Sequence, residues 1–332
     1  MKLVSYILSG KTRLGALSGE YVVDVSRAHR EMMAASPDPA ARKIVDLLPA
    51  EILPFLERGQ EGLWAARVAL RFIEHQVHVG GSESYLRQGL LLPLSHVHLV
   101  APVPRPPKLI AVWVNYEEHG AEAAIRAPQT APLFFTKFPT AVIGPGQPIV
   151  LPRISKKVDY EAELALVIGQ RGKNIPAEKA YEFVAGYTIL NDVSARDFSL
   201  RELLGVVGPS DIQKSFDTFA PMGPCLVTTD EIPDPHALRI QLRIGDEVLQ
   251  DSNTGCMIHR IPSIIAYISA IATLEPGDVI TTGTPAGTGF TRTPPRWLRA
   301  GETVRIEIEK IGVLENPVVA ESPAPAGEVH GD

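Results

Sequence analysis

The segment Asp159-Tyr160-Glu161-Ala162-Glu163 runs straight into the apolar stretch Leu164-Ala165-Leu166-Val167-Ile168. In an extended strand alternate side chains share a face, so Glu161 and Glu163 point the same way at its mouth. Neighbouring carboxylates repel unless water screens them or a cation lies between them. From this segment alone, a solvated strand end and a metal site are equally good readings. A third acid, Asp192, ends the buried-looking strand Gly186-Tyr187-Thr188-Ile189-Leu190-Asn191. In isolation it reads as a helix N-cap. Joined to the other two it makes an all-oxygen set, hard in character, suited to magnesium, manganese or calcium rather than zinc.

His119 and Glu122 lie three apart in Asn115-Tyr116-Glu117-Glu118-His119-Gly120-Ala121-Glu122, hence on one face if the stretch is helical. A carboxylate beside an imidazole fixes its tautomer and raises its basicity, the arrangement of a general base acting on water. Taken alone, the same spacing also fits an ordinary exposed helix. Lys214 sits among apolar residues in Gln213-Lys214-Ser215-Phe216-Asp217, and most lysines are surface charges. The run Gly283-Thr284-Pro285-Ala286-Gly287-Thr288-Gly289 lacks the Gly-Lys-Ser/Thr ending of a phosphate-binding P-loop. It is a tight turn, or a loop offering backbone N–H groups or the Thr284 hydroxyl to a substrate carboxylate.

The elements that must position these residues follow from periodicity. Residues 1 to about 28 alternate around Ser9-Gly10 and Ser18-Gly19 and predict a small antiparallel strand set. Helical patterns run from Pro39 to Glu57 and from Glu61 to Gln76. Pro102, Pro104, Pro106 and Pro107 read as a stiff linker, and the domain boundary is placed there. Beyond it come a strand over Lys108–Asn115, a hairpin over Leu238–Gln250 turning at Gly245-Asp246, a buried helix over Ile261–Ile271, and a last strand through Val304, Ile306 and Ile308. The expected organisation is α+β and β-rich: a small domain over residues 1–101, a second over 108–320, and a disordered tail over 321–332.

The 332 residues carry a net charge of −6, with 45% apolar and 21% charged residues, in the range of ordinary folded domains. Lys and Arg are scattered, so no footprint for nucleic acid exists. Lys11 and Arg13 interrupt the opening before a signal-peptide core forms, and no apolar run approaches the ~20 residues of a membrane span. These features predict a cytoplasmic protein with no membrane partner. The two cysteines, Cys225 and Cys256, have no metal or redox spacing and read as packing residues in a reducing compartment.

Five motifs in one order, NYxxHxxE, DYExEL, NDVSARD, KSFDTF and LEPGDVITTGTPAGTG, resemble the fumarylacetoacetate hydrolase family from Leu109 to about Asn316. The LGAL and VVDVS phrases look like the small N-terminal domain of many members. The resemblance implies a mixed β-roll, commonly a homodimer. It implies metal binding by Glu161, Glu163 and Asp192, usually of magnesium, sometimes of manganese or calcium. By the same resemblance His119 and Glu122 match a water-activating dyad on a lid helix, Lys214 a lysine near the metal, and Arg196 and Thr284 groups facing substrate. Tyr116 and Ser199 join that substrate-binding set by position. Two departures stand out: Ser199 replaces a common Gln, and Cys256 replaces an acid.

The expected reaction is hydrolysis of a carbon–carbon bond in a small anionic β-dicarbonyl acid of the acylpyruvate, fumarylpyruvate or diketo acid type. The metal would act as a Lewis acid on two substrate oxygens, His119 would take a proton from water, and an enolate would receive the electrons of the broken bond. The rival on the same fold is decarboxylation of oxaloacetate, or hydration or isomerisation of an unsaturated keto acid. A binding protein that has lost turnover is the rival from another class.

Overall fold

The computed structural model describes residues 1–36, 48–126 and 129–322. A 12-stranded mixed sheet forms its centre. From one edge the main path runs Leu91–Pro93, Tyr21–Asp24, Lys11–Ser18, Lys2–Leu8, Ala220–Thr228, Val184–Asn191, Ala162–Ile168, Val279–Thr281, Leu109–Trp113 and Leu133–Lys137. A 5-stranded sheet contains Glu247–Asn253, Arg239–Ile244, Thr303–Ile308, Gly312–Ala320 and Ile149–Leu151 in that order. The fold is α+β and β-rich, as the periodicity predicts.

Ala162–Ile168 is apolar at every position after Glu163 because both its faces are covered. Leu164, Leu166 and Ile168 join a core with Ile240, Leu242, Val304 and Ile306, so this core lies between the two sheets. Ala165 and Val167 face the opposite way, into a core shared with Phe55, Leu63, Ala66 and Ile73 beneath the helices. Each fully buried Leu or Ile contributes about 1.5–3 kcal/mol relative to exposure. The strand carrying the acids is thereby fixed from both sides.

Several expectations match the structure closely. The opening strands turn at Ser9-Gly10 and after Ser18, the second long helix is Gly59–Gln76, the hairpin pairs Ile244 with Glu247 across Gly245-Asp246, and Ile261–Ile271 is a helix. Others need correction. Helix Val25–Ala35, capped by the Asp24 carboxylate on Arg27 N–H, starts inside the expected strand set. Of the helix expected over Pro39–Glu57, residues 39–47 lie outside the described residues, and the remainder is helical only over Ile52–Leu56. The Pro-rich segment is no free linker: Pro102, Val103 and Pro106 are buried, and Ser5 Oγ donates to the Pro102 carbonyl. Lys2–Leu8 pairs with Ala220–Thr228, so the first strands continue the central sheet.

Cys225 is buried but Cys256 is exposed, so only the first packs in the interior. Of the expected tail, Glu321 is ordered, its N–H on the Leu151 carbonyl and its carboxylate accepting from Arg153 N–H, while residues 323–332 lie outside the described residues. No helix among the described residues is long and apolar enough to cross a membrane.

Candidate active site

Antiparallel pairing brings the three acids together. Ala162 lies opposite Asn191, so the residues just beyond that pair, Glu161 and Asp192, become neighbours. The Asp192 N–H donates to the Glu161 carbonyl at 2.8 Å, and Asn191 Oδ1 accepts the Glu161 N–H at 3.0 Å. One carboxylate oxygen each from Glu161, Glu163 and Asp192 lies within 4.8 Å of the others, and all three residues are buried. Asp192 therefore caps no helix. Its carboxylate faces two lysines.

Lys214 Nζ donates to Glu161 Oε2 and Asp192 Oδ2, both at 2.5 Å, and is buried. Lys137, at the end of Leu133–Lys137, reaches Asp192 Oδ1 at 2.6 Å and the Val193 carbonyl at 3.1 Å. Arg196 bridges Glu161 and Asp159, the latter at 2.9 Å. Lys137 and Asp159 are site residues that sequence reasoning missed: Asp159 stands inside a quoted motif without a role, and nothing around Lys137 marks it as buried.

These contacts set opposite proton affinities on neighbouring acids. Burial raises the Glu161 carboxyl, but Lys214, Arg196 and His119 outweigh it and hold it well below the usual range. Glu163 is pushed well above that range by burial and by the negative charges of Asp192 and Glu161. Burial lowers Lys137 to about 8 against the attraction of Asp192, with the like charge of Lys214 adding to the fall. A divalent cation among the three carboxylates would relieve the repulsion on Glu163. The donor set is all oxygen, so the residues fit a hard ion.

The Gly-rich loop spends its N–H groups on the protein's own acids. Gly283 N–H donates to Glu163 Oε2 at 2.9 Å, Gly287 N–H to both Glu122 oxygens, and Gly289 and Phe290 N–H to Asp159. The Thr284 hydroxyl donates to the Ala162 carbonyl and accepts from Gln250, whose Oε1 in turn takes the Ala162 N–H. Thr284 lines the pocket of the acids, but its hydrogen is held by the backbone.

His119 and Glu122 share the short helix Glu117–Glu122, with Nδ1 3.0 Å from Glu122 Oε1. The ring is buried, edge-on to Phe290, and lines the acid pocket. The chain reaches this helix through Val114, whose φ of 47° is an outlier for a β-branched residue. Asn115 holds the bend: its amide donates to the His259 and Thr282 carbonyls at 2.9 and 2.8 Å and accepts the His259 N–H at 2.7 Å.

The pocket of the acids is a cavity of about 40 Å³. It adjoins a second of about 510 Å³, and Trp113, Ile125, Arg196, Gln213 and Phe290 line both. Ser199 lies on the larger cavity and caps Leu200–Leu204, accepting the Glu202 N–H at 3.3 Å. Tyr116 lines neither of these two. It borders a separate cavity with Cys256, and its phenol is buried without a hydrogen-bond partner.

Residues 108–319 match the fumarylacetoacetate (FAA) hydrolase C-terminal domain. The chain belongs to the fumarylacetoacetate hydrolase family. An oxaloacetate tautomerase of Rattus norvegicus, described as mitochondrial, is 44% identical over 276 residues, covering 82% of this chain and 80% of the relative. Two solved structures of the same fold are 5-carboxymethyl-2-hydroxymuconate delta-isomerase from Mycobacterium smegmatis, 32% identical with a TM-score of 0.68, and maleylpyruvate hydrolase from Sphingobium sp. SYK-6 in complex with manganese(II) and pyruvate, 30% identical with a TM-score of 0.67. Each similarity covers 97% of this chain and 100% of the other. Tautomerase, isomerase and hydrolase are thus all represented among relatives of this family member. The family assigns it to the enzymes acting on small keto acids, and the reaction must be argued from its own site.

Proposed function

We propose that this family member interconverts the keto and enol forms of a small β-keto dicarboxylic acid such as oxaloacetate, using a divalent ion held by Glu161, Glu163 and Asp192. The observation that carries the reading is the convergence of those three buried acids beside Lys214, Lys137 and Arg196. The likeness to the rat oxaloacetate tautomerase supports the choice of substrate and reaction. A bound ion would supply Lewis-acid charge to the substrate's keto and carboxylate oxygens. Magnesium is the proposed ion and manganese the alternative.

The protein's own groups handle charge and protons. Glu122 takes up Nδ1 of His119, which leaves Nε2 to move the proton between the substrate methylene and solvent. The keto oxygen gains a proton as the methylene loses one, so no atom is added overall. Lys214 offers a buried ammonium beside the oxygen that becomes negative. Arg196 draws the anionic substrate toward the pocket.

A second reading is hydrolysis of an acylpyruvate. It is favoured by the adjoining cavity of about 510 Å³, which has room for an acyl arm. There water would add to the distal carbonyl carbon after giving a proton to His119. The carbon–carbon bond would break, and its electron pair would leave as pyruvate enolate. We also propose residues 108–320 as the catalytic domain with 1–101 as a smaller N-terminal one, a homodimeric assembly, and a cytoplasmic location.

The test is parallel assay of oxaloacetate enol decay and of pyruvate release from acetylpyruvate, with magnesium or manganese and again after chelation. Chelator-sensitive enol decay without pyruvate release supports the tautomerase. Pyruvate release favours the second reading, and neither activity removes both.

A further inference from the structure

Four donors converge on the buried carboxylate of Asp159. Its Oδ1 accepts the N–H groups of Tyr160 at 2.9 Å and Gly289 at 2.8 Å, and its Oδ2 accepts from Arg196 Nε at 2.9 Å and from the Phe290 N–H at 3.2 Å. A charged acceptor shared so widely is held in one rotamer, and it orients the groups that donate to it. Strand pairing puts it there. Val158–Asp159 runs antiparallel to Ser194–Ala195 with Asp159 opposite Ser194, and the next N–H, that of Arg196, donates to the Lys157 carbonyl at 2.9 Å.

The guanidinium of Arg196 is thereby divided. Nε goes to Asp159 and Nη2 to Glu161, while Nη1 has no protein partner among the described residues. Its two anchors are unequal. Glu161 also receives Lys214 and belongs to the trio proposed for the ion, so its oxygens have competing claims. Asp159 has no second cation among the described residues, and its other bonds come from backbone N–H groups. The same carboxylate also holds the surface on which the cation rests: the Arg196 guanidinium carbon stands 4.2 Å from the centre of the Phe290 ring, over which it gains a cation–π attraction. That ring meets His119 edge-on at 6.2 Å.

We infer that Asp159 is a positioning residue which, together with Phe290, aims Arg196 so that Nη1 receives a carboxylate oxygen of the substrate. Asp159 does not touch the substrate, since its side chain is wholly covered, and it acts through the guanidinium. Fixing that plane beforehand spares the ordering of a long side chain when the anion arrives. The inference deepens the proposed function and rests on it for the class of ligand, a small keto acid.

The experiment titrates oxalate, which carries the adjoining oxygens of a keto acid head, by calorimetry into the full chain at saturating magnesium. Asp159→Asn keeps an oxygen for the Tyr160 and Gly289 N–H groups but turns a donor toward Arg196 Nε. It weakens oxalate by about tenfold. Phe290→Leu leaves the carboxylate in place and removes only the ring, so it serves even if the first variant fails to fold; it weakens oxalate by about threefold. Neither substitution weakens oxalate further when combined with Arg196→Gln, the coupling expected of groups that act through the guanidinium. Wild-type affinity in either variant, or the same loss with and without Arg196, overturns the inference, as does a magnesium-loaded wild type that binds no oxalate. Failure of oxaloacetate turnover by itself counts against the proposed function alone, because the titration needs no turnover.

Discussion

The backbone N–H of Gly287 donates to both carboxylate oxygens of Glu122, at 3.0 and 2.9 Å, across 165 positions of chain. This clamp fixes the helix of His119 against the Gly-rich loop. Gly287 has a φ of 102°, and a Cβ there would collide with the Leu249 carbonyl oxygen. Gly287→Ala should displace the loop and misorient His119, lowering kcat by about tenfold or more. Ion affinity should change little, since none of the three acids is bonded to this glycine. Steady-state kinetics and calorimetry on the same variant check the pair of outcomes, and undiminished kcat counts against the clamp.

Glu122 supplies a pH dependence with a definite sign. Burial raises its carboxyl, but the bonds from His119, Gly287 and Thr288 prevail and hold it below the ordinary 4.5. A carboxyl depressed in the folded state stabilises fully above its unfolded value, and that stabilisation disappears as pH falls through the folded value. The Tm advantage of wild type over Glu122→Gln should therefore be flat above about pH 5.5 and shrink below about 4.5. An advantage that grew on acidification would refute the assignment.

Lys137 is a buried cation whose removal leaves Asp192 less compensated. Lys137→Met should destabilise the ion-free protein by about 3–5 kcal/mol. Added magnesium should narrow that gap, because a cation beside Asp192 replaces part of the lost charge. Thermal melts in chelator and in magnesium measure both halves. An equal deficit in the two conditions would show that Lys137 acts apart from the ion.

The bend at Val114 predicts a dependence on Asn115. Its three hydrogen bonds join the start of the His119 helix to His259 and Thr282. Asn115→Ala leaves buried carbonyls and an N–H unmet, at about 1–3 kcal/mol for each such group. Chemical denaturation should report the loss, accompanied by lower kcat. A variant of wild-type stability would mean that other contacts hold the bend.

Much of the scaffold was legible in the sequence because its elements are locally periodic. Helix Ile261–Ile271 and the Gly245-Asp246 hairpin follow from spacing and turn residues alone. The acid trio was legible for a different reason: Glu161 and Glu163 lie beside a strand start and Asp192 beside a strand end, so one antiparallel pairing unites them. Lys137, Asp159 and Gln213 were not legible as site members, since each meets the acids or the cavity only through tertiary packing. The Gly-rich loop reads as a tight turn or as a donor of N–H groups or the Thr284 hydroxyl to a substrate carboxylate, and spacing cannot tell that the protein's own Glu163, Glu122 and Asp159 receive the N–H groups. The Pro-rich segment reads as a linker because proline stiffness is local, whereas its burial is tertiary: Val103 joins the core beneath the helices, and the distant Ser5 donates to the Pro102 carbonyl.

Calorimetric titration of magnesium and manganese into the wild type and into Glu163→Ala tests the central claim most directly. The account predicts one ion per wild-type chain, with binding lost or weakened at least about a hundredfold in the variant. A wild type that binds neither ion, or a variant that binds as tightly as the wild type, would contradict it.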